Sequence, residues 1–290
     1  MANVTKATAV NFIPELWQDA ILDYAERRFD LKNKVTDVSS MLSAGGSTIN
    51  IPRVDEETAA SLGNGAAVSY SATTDGTTAL VVDQHFYEAK RIDDIVRVQE
   101  SADLFNMYAK SMGYALAKKV ENYLAVSIIQ EASANDVTLT GNNALLSADL
   151  RSGTQKLMDI GVDYTNDSFL YCSPTAYNSL FAVDEFSLAH EAGRDSAHTM
   201  GSHGKLMGMD VSYSVDWSDT TGGTATNNEA ASIFTKDSVM FAMQIAPRVQ
   251  SVYDIDYLAT SVVADVFFGA VLTQAADDAA GQIVNFNNPS

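Results

Sequence analysis

The run SADLFNMYAKSMGYALAKKVENYLAVSIIQEAS, residues 101–133, constrains this chain more than any other stretch. Leu104, Tyr108, Met112, Leu116, Val120, Leu124 and Ile128 recur every four residues, which lays one apolar stripe along a helix. Met107, Ala115 and Tyr123 widen the stripe. Ser101 stands where an N-cap belongs, Asp103 falls in the first turn, and no proline interrupts the run. Such a helix would span roughly 45–50 Å, more than most globular domains need. Lys110, Lys118 and Lys119 sit away from the stripe, on what reads as a solvated face.

The segment leading into this helix is as unusual. STINIP (47–52) alternates and reads as a strand closed by Pro52. TTALVVDQHFYEAKRIDDIVRVQE (77–100) is rich in β-branched and aromatic residues and reads as the returning strand. Between them, RVDEETAASLGNGAAVSYSATTDG (53–76) has few large apolar residues and no sustained period. Loops of that length are uncommon in compact domains and are usually functional or disordered. Strand, long tip and returning strand together predict an extended hairpin. A two-stranded hairpin is marginal alone in water, so its stability must come from whatever it packs on.

The rest of the chain predicts a mixed fold. NFIPELWQDAILDYAERRF (11–29) reads as an amphipathic helix, with Pro14 in the first turn and Arg27 and Arg28 in the last. Its stripe of Ile13, Leu16, Trp17, Ile21 and Tyr24 fits either a core-facing helix or an arm lying on a neighbouring subunit. SADLRSGTQKLMDIG (147–161) reads as a helix with Ser147 as N-cap and Gly161 past its end. SFLYC is a buried strand, and Ser173 caps the helix that Pro174 begins. Residues 184–204 read as a long polar loop, GKLMGMDVSYSVDW returns to strand, and TTGGTATNNEA is a turn-rich connection. ASIFTKDSVMFAMQ predicts a strand and a short apolar segment. RVQSVYDIDYLATSVVADVFFGAVLTQ (248–274) predicts one or two long strands returning to the long helix, and AADDAAGQIVNFNNPS a loose polar tail.

Composition narrows the function classes. Of 290 residues, 46% are hydrophobic and 19% charged, ordinary for a globular chain. The net charge of -19 argues against a sequence-specific nucleic-acid binder and suits mutual repulsion of free copies. No apolar run is long enough for a membrane span, and the start lacks a signal peptide's basic region and apolar core. That predicts a protein made and kept in a cytoplasm. The single cysteine, Cys172, excludes an internal disulfide and reads as a buried hydrophobe. HEAGRDSAH (190–198) lacks the i,i+4 histidines of a zinc protease helix, and GSHGK (201–205) lacks the spacing of a phosphate loop. Asp93 and Asp94 are adjacent and face opposite sides of a strand, and the carboxylates of DIDY (254–257) are not read as a catalytic pair. No catalytic group, cofactor site or metal site is predicted, and the chain does not read as an enzyme.

FIPELWQDAILDYAERRFDLKNKV, the EAKRIDDIVRVQESADLFNMYAKSMGYALAKKVENYLA junction, SFLYCSPTAYNSLF, and GKLMGMDVSYSVDW followed by SIFTKDSVMFAMQ carry a resemblance over most of the chain. In this order they resemble the major capsid protein of tailed bacteriophages, with the Hong Kong ninety-seven fold. The resemblance implies an α+β chain with an N-arm (1–45), an extended E-loop region (46–97), a peripheral domain with a long spine helix (98–162), an axial domain (163–243), and return strands of the peripheral domain with a C-terminal tail (244–290). It implies self-assembly in hexamers and pentamers into an icosahedral head enclosing double-stranded DNA, and assembly in the host cytoplasm. The implied partners are a separate scaffolding protein, a portal protein, a decoration protein and the packaged DNA, with no membrane. Candidates for contact between subunits are Trp17, Ile21, Tyr24, Asp55, Glu56, Glu57, Tyr70 and Arg91, and candidates for facing DNA are Lys110, Lys118 and Lys119.

Two departures from the family pattern matter. Some members crosslink the shell through an E-loop lysine and a distant asparagine, but no lysine lies between Val54 and Ala89, which predicts a non-covalent shell. Some carry a long N-terminal scaffolding segment, whereas here the arm begins almost at Met1, which predicts a separate scaffold and an unprocessed chain. An encapsulin shell is the near alternative, and the long tongue favours the phage head. A cytoplasmic α/β enzyme and a β-rich adhesin are the alternatives of other classes.

Overall fold

The computed structural model describes residues 30–44, 46–54, 59–65, 67–70, 75–94, 104–132, 135–141, 144–165, 167–183, 204–217, 229–273 and 282–289. The helix expected at 11–29 and the loop expected at 184–203 lie outside the described residues, as does most of the turn-rich connection.

A short 3-10 turn, Leu31–Lys34, leads to strand β1 (Thr36–Asp37) and a second turn, Ser39–Ala44. Then come β2 (Thr48–Val54), β3 (Asp75–Val81) and β4 (Gln84–Asp93). Helix α1 (Leu104–Asn122) runs on as a π-helical stretch, Tyr123–Ile129. After it follow β5 (Val137–Thr138), α2 (Ser147–Asp159), β6 (Ser168–Cys172) and α3 (Pro174–Ser179). The chain ends with β7 (Lys205–Leu206), β8 (Met209–Tyr213), β9 (Glu229–Thr235), β10 (Val239–Asp254), β11 (Ala259–Leu272) and β12 (Ile283–Asn287). The strands form three sheets: β1-β10-β11-β4, β5-β12-β9-β6-β8-β7, and the isolated pair β2-β3.

The long helix lies on the four-stranded sheet. Met112, Leu116, Val120 and Leu124 are buried against Val262, Ala264, Val266 and Phe268 of β11 and Phe241 of β10. Phe268 is the hub, with its ring 5.4 Å from that of Tyr123 and 5.8 Å from those of Phe86 and Phe241. The same cluster continues into the six-stranded sheet through Phe169, Tyr171, Trp217 and Phe234, so one core joins the two sheets. The opposite face of that sheet carries a second core under α2 and α3, built from Leu150, Leu157, Leu170, Ala176, Val284 and Phe286 among others. Strand β6 is buried on both faces because Phe169 and Tyr171 enter the first core while Leu170 and Cys172 enter the second.

Several expectations change. The four-residue repeat fails at the end of the helix, where Leu124, Ala125 and Ile129 are buried. Four-residue steps drift by about 40° each on an α-helix. The stretch here is π-helical, with the Gln130 N–H donating to the Ala125 carbonyl at 3.0 Å. Ile128 is only partly buried, Ala115 is exposed, and the described helical stretch ends at Ile129, short of the 133 expected. Residues 101–103, including the expected cap Ser101, lie outside the described residues.

Pro52 does not close its strand, because β2 continues to Val54. A two-stranded ribbon has a free edge, where a missing N–H costs nothing. The returning strand breaks at Val82–Asp83: β3 pairs with β2, and β4 leaves to pair with β11. The apolar segment after β9 is the opening of a single strand, β10, which runs unbroken across residues 243 and 244. Ser147 is the first helical residue of α2 instead of its cap. Asp149 does the capping: its Oδ2 accepts from the Leu146 N–H at 3.2 Å and its Oδ1 from the Thr140 hydroxyl at 2.8 Å. Ser173 caps α3 as expected, accepting from the Ala176 N–H at 3.1 Å.

The largest correction is the tail. Residues 283–287 are not loose but form β12, inside the six-stranded sheet between β5 and β9. Val284 and Phe286 are buried in the second core. Asn285 is buried as well, and its Nδ2 donates to the carbonyls of Ile129, Gln130 and Ala132 at the end of the long helix.

Candidate assembly surfaces

Among the described residues, the hairpin β2-β3 is held at its root. There, Ile49, Leu80 and Val82 pack with Val38, Leu42 and Ala242 on the outer face of the four-stranded sheet. The Val82 N–H donates to the Ser47 carbonyl at 2.8 Å, and Gln244 Nε2 to the Gly46 carbonyl at 3.2 Å. The root crosses β11 at Gly269. A Cβ there would lie 2.2 Å from the Val81 carbonyl oxygen and 2.8 Å from Val82 Cα, so only glycine admits the crossing. Beyond the root, residues 59–65 and 67–70 form no strand or helix and are exposed. Tyr70 is 96% exposed, and Leu62 and Val68 are also open. The expected contact residues Asp55, Glu56 and Glu57, like Trp17, Ile21 and Tyr24, lie outside the described residues.

A second surface was not singled out from the sequence. At the distal ends of β10 and β11 and in the turn between them, Val252, Tyr253, Ile255, Tyr257 and Leu258 are exposed. Ile255 is 76% exposed and Leu258 64%. Leu258 adopts a left-handed φ of 47°, uncommon for a branched side chain. Arg91 organises this tip. Its guanidinium stacks 4.0 Å over the Tyr257 ring, reaches Asp254 Oδ2 at 3.6 Å, and its Nε donates to Ser261 Oγ at 3.4 Å. The Tyr253 hydroxyl donates to Asp94 Oδ2 at 2.7 Å, binding the tip to the end of β4. Arg91 is thus engaged within its own chain. The sequence signal was available in SVYDIDYLATS, where apolar residues persist across a turn that has no elements left to cover it.

Lower on the same sheet, the Arg248 fork donates to Asp265 from Nε (2.8 Å) and Nη2 (3.0 Å), and His85 Nε2 lies 3.3 Å from the same carboxylate. These partners, Arg248 first, hold the Asp265 carboxyl below the usual range. Along α1, Lys110, Lys118 and Lys119 are all exposed, and the Lys119 ammonium lies 5.1 Å over the Phe86 ring. The chain's entry is pinned between the cores: the Tyr171 hydroxyl donates to Asp30 Oδ1 at 2.6 Å, and the Leu31 N–H donates to Glu121 Oε1 at 3.3 Å.

Nothing described assembles a reaction centre. Among the described residues, no three His, Cys, Asp or Glu side chains gather as metal ligands. Cys172 is buried, and burial pushes its thiol far above the usual range, away from a reactive thiolate. No helix among the described residues is long and apolar enough to cross a membrane.

No family model matches the chain, and no curated protein matches it by sequence. Solved structures do match. The chain is similar to a structure from Mycobacterium phage Che8, at 22% identity and a TM-score of 0.77, covering 96% of this chain and 97% of that one. It is similar to the capsid structure of cyanophage P-SCSP1u, at 15% identity and a TM-score of 0.79, covering 100% and 97%. It also matches the capsid of a native GTA particle over the full length of both chains, at 10% identity and a TM-score of 0.73. The fold is the Hong Kong ninety-seven capsid fold. The β2-β3 hairpin falls in the stretch where the resemblance places the E-loop, and α1 with its π continuation where it places the spine helix.

Proposed function

We propose that this chain is the major capsid protein of a tailed phage, which assembles as hexamers and pentamers into an icosahedral head around double-stranded DNA. The observation that carries the reading is the pair of projections, the E-loop and the β10-β11 tip. Both bear large apolar side chains with no core of their own beneath them. On a shell fold matched end to end, such surfaces are covered by neighbouring copies. Each contact is modest, and many together make a closed particle, because binding at one site raises the local concentration at the next.

In this reading residues 1–45 are the N-arm, 46–97 the E-loop region, 98–162 the peripheral domain with its spine, 163–243 the axial domain, and 244–290 the return strands and tail, with β12 lent back to the axial sheet. Trp17, Ile21 and Tyr24 of the arm and Asp55, Glu56, Glu57 and Tyr70 of the tongue meet neighbouring subunits. Arg91 acts at such a contact by holding the tip. Lys110, Lys118 and Lys119 face the packaged DNA. A separate scaffolding protein, a portal and a decoration protein complete the particle, and no lysine lies between Val54 and Ala89 to crosslink it.

The experiment separates folding from assembly. The double variant Val252→Ser, Ile255→Asp alters only exposed side chains. It should keep the parent's melting temperature to within a few degrees, since exposed substitutions change stability by about 0.5 kcal/mol or less. In velocity sedimentation it should remain as free subunits or capsomers under conditions where the parent forms fast-sedimenting particles. Particle formation equal to the parent's would remove the tip from the assembly interface.

A further inference from the structure

A buried group of oxygens closes the six-stranded sheet where β12 meets β5 and the start of β9. Glu229, the first residue of β9, stands opposite Asn287 of β12, at a shift in register. Asn287 Nδ2 donates to Asp136 Oδ2 at 2.9 Å, from the residue just before β5. Glu229 is only 7% exposed. Three oxygens of this group, Glu229 Oε2, Asp136 Oδ1 and Asn287 Oδ1, are buried and have no hydrogen-bond partner. Once Glu229 has ionised they cannot satisfy one another, because ionised carboxylates and amide oxygens only accept.

The charges point the same way. Lys156 of α2 is the cation that acts on Asp136, and its Nζ donates to the Asp136 backbone carbonyl at 2.6 Å. Asp136 and Glu229 are close enough to repel. Two carboxylates against one ammonium leave the group net negative in a place where water is scarce. Buried charge persists only when it is paired or coordinates a metal.

We propose that Glu229, Asp136 and Asn287 form a binding site for a hard divalent cation, Ca²⁺ in preference to Mg²⁺, which ties the C-terminal strand β12 to β9 and β5. The donors are all oxygens, as hard cations require. They come from two strand ends and a loop, an irregular set that Ca²⁺ accepts with waters completing its shell, whereas Mg²⁺ demands a near-ideal octahedron. Three protein side chains place the affinity in the weak class, with a Kd on the order of 10⁻⁴–10⁻³ M. Asp136 is only partly buried, which gives the ion a way in.

The test is thermal unfolding of the full chain at pH 8 and fixed ionic strength, first in EDTA and then titrated with CaCl₂ or MgCl₂. The parent should gain several degrees with CaCl₂, saturating in the millimolar range, and less with MgCl₂. Glu229→Gln, in EDTA, should melt no lower than the parent, and it should lose most of the CaCl₂ shift. The control is built in. Divalent ions also bind loosely to a surface of net charge -19, but that effect survives a change of one unit. Asp136→Asn should lose the shift as well, and it serves as the variant should Glu229→Gln fail to fold. Equal CaCl₂ shifts in parent and variants would overturn the site in favour of surface screening. No CaCl₂ shift in the parent, with a pH dependence that Glu229→Gln abolishes, would overturn it in favour of a bound proton.

Discussion

Single atoms decide two features of this subunit. At Gly269 a hydrogen stands where any other residue would drive a methyl into the Val81 and Val82 backbone. Backbone cannot rotate aside as a side chain can, so Gly269→Ala must lift the E-loop root off β11. The expected outcome is a subunit that keeps its secondary structure by circular dichroism, melts lower by about 1–3 kcal/mol in stability, and yields few or no particles. At Glu229, burial and then repulsion from Asp136 push the carboxyl from 4.5 up to about 7. Asp136 is pushed up too, chiefly by burial, so the two act with the same sign. The folded chain then holds a proton that the unfolded chain has already released between those values. Stability from this group is therefore lost as pH rises from about 4.5 through 7. Asp265 works the other way and at lower pH: its lowered carboxyl favours the fold above the usual carboxylate range, and that contribution goes as pH falls through the depressed value. In EDTA, melting temperatures should fall between pH 5 and pH 8, and Glu229→Gln should flatten most of that slope. A slope unchanged in the variant would assign it elsewhere.

At the level of elements, sequence pattern and structure agree where local chemistry decides and part where distant chain does. The spine stripe, the β6 strand with its Ser173 cap, and the hairpin were legible because periodicity and capping are properties of neighbours in sequence. The π turn was partly legible: a strict four-residue repeat cannot stay on one face of an α-helix, so the slip between Leu124 and Ile129 is implied by the repeat itself. The tail was not. IVNF is a four-residue apolar patch in a polar stretch, and it becomes a strand only because β5 and β9 leave a slot for it. Phe286 shows how completely the slot is used, since its ring would touch a Cβ at Gly153 at 2.5 Å. Phe286→Ala should cost about 3–5 kcal/mol, seen as a lower urea midpoint, whereas a tail that was only an appendage would cost almost nothing. The contact surfaces were legible in kind for the tongue and only partly for the β10-β11 tip. SVYDIDYLATS shows apolar residues persisting across a turn, but the exposure of Ile255 and Leu258 depends on what packs there from distant chain, which no local pattern states.

On the proposed reading, the whole molecule is a subunit built to be incomplete. One core joins both sheets and the spine, while the E-loop and the tip leave it and expose apolar side chains to whatever lies alongside. A net charge of -19 opposes premature association of free copies. That repulsion is screened by salt, with a Debye length of about 10 Å at 0.1 M, so assembly should strengthen as ionic strength rises. The most direct measurement is negative-stain electron microscopy of the purified chain across a salt series, expressed alone and with a candidate scaffolding protein. Closed shells on the order of tens of nanometres across are expected, since contacts that close by rotation make finite particles. Small monodisperse particles in every salt and scaffold condition would contradict it.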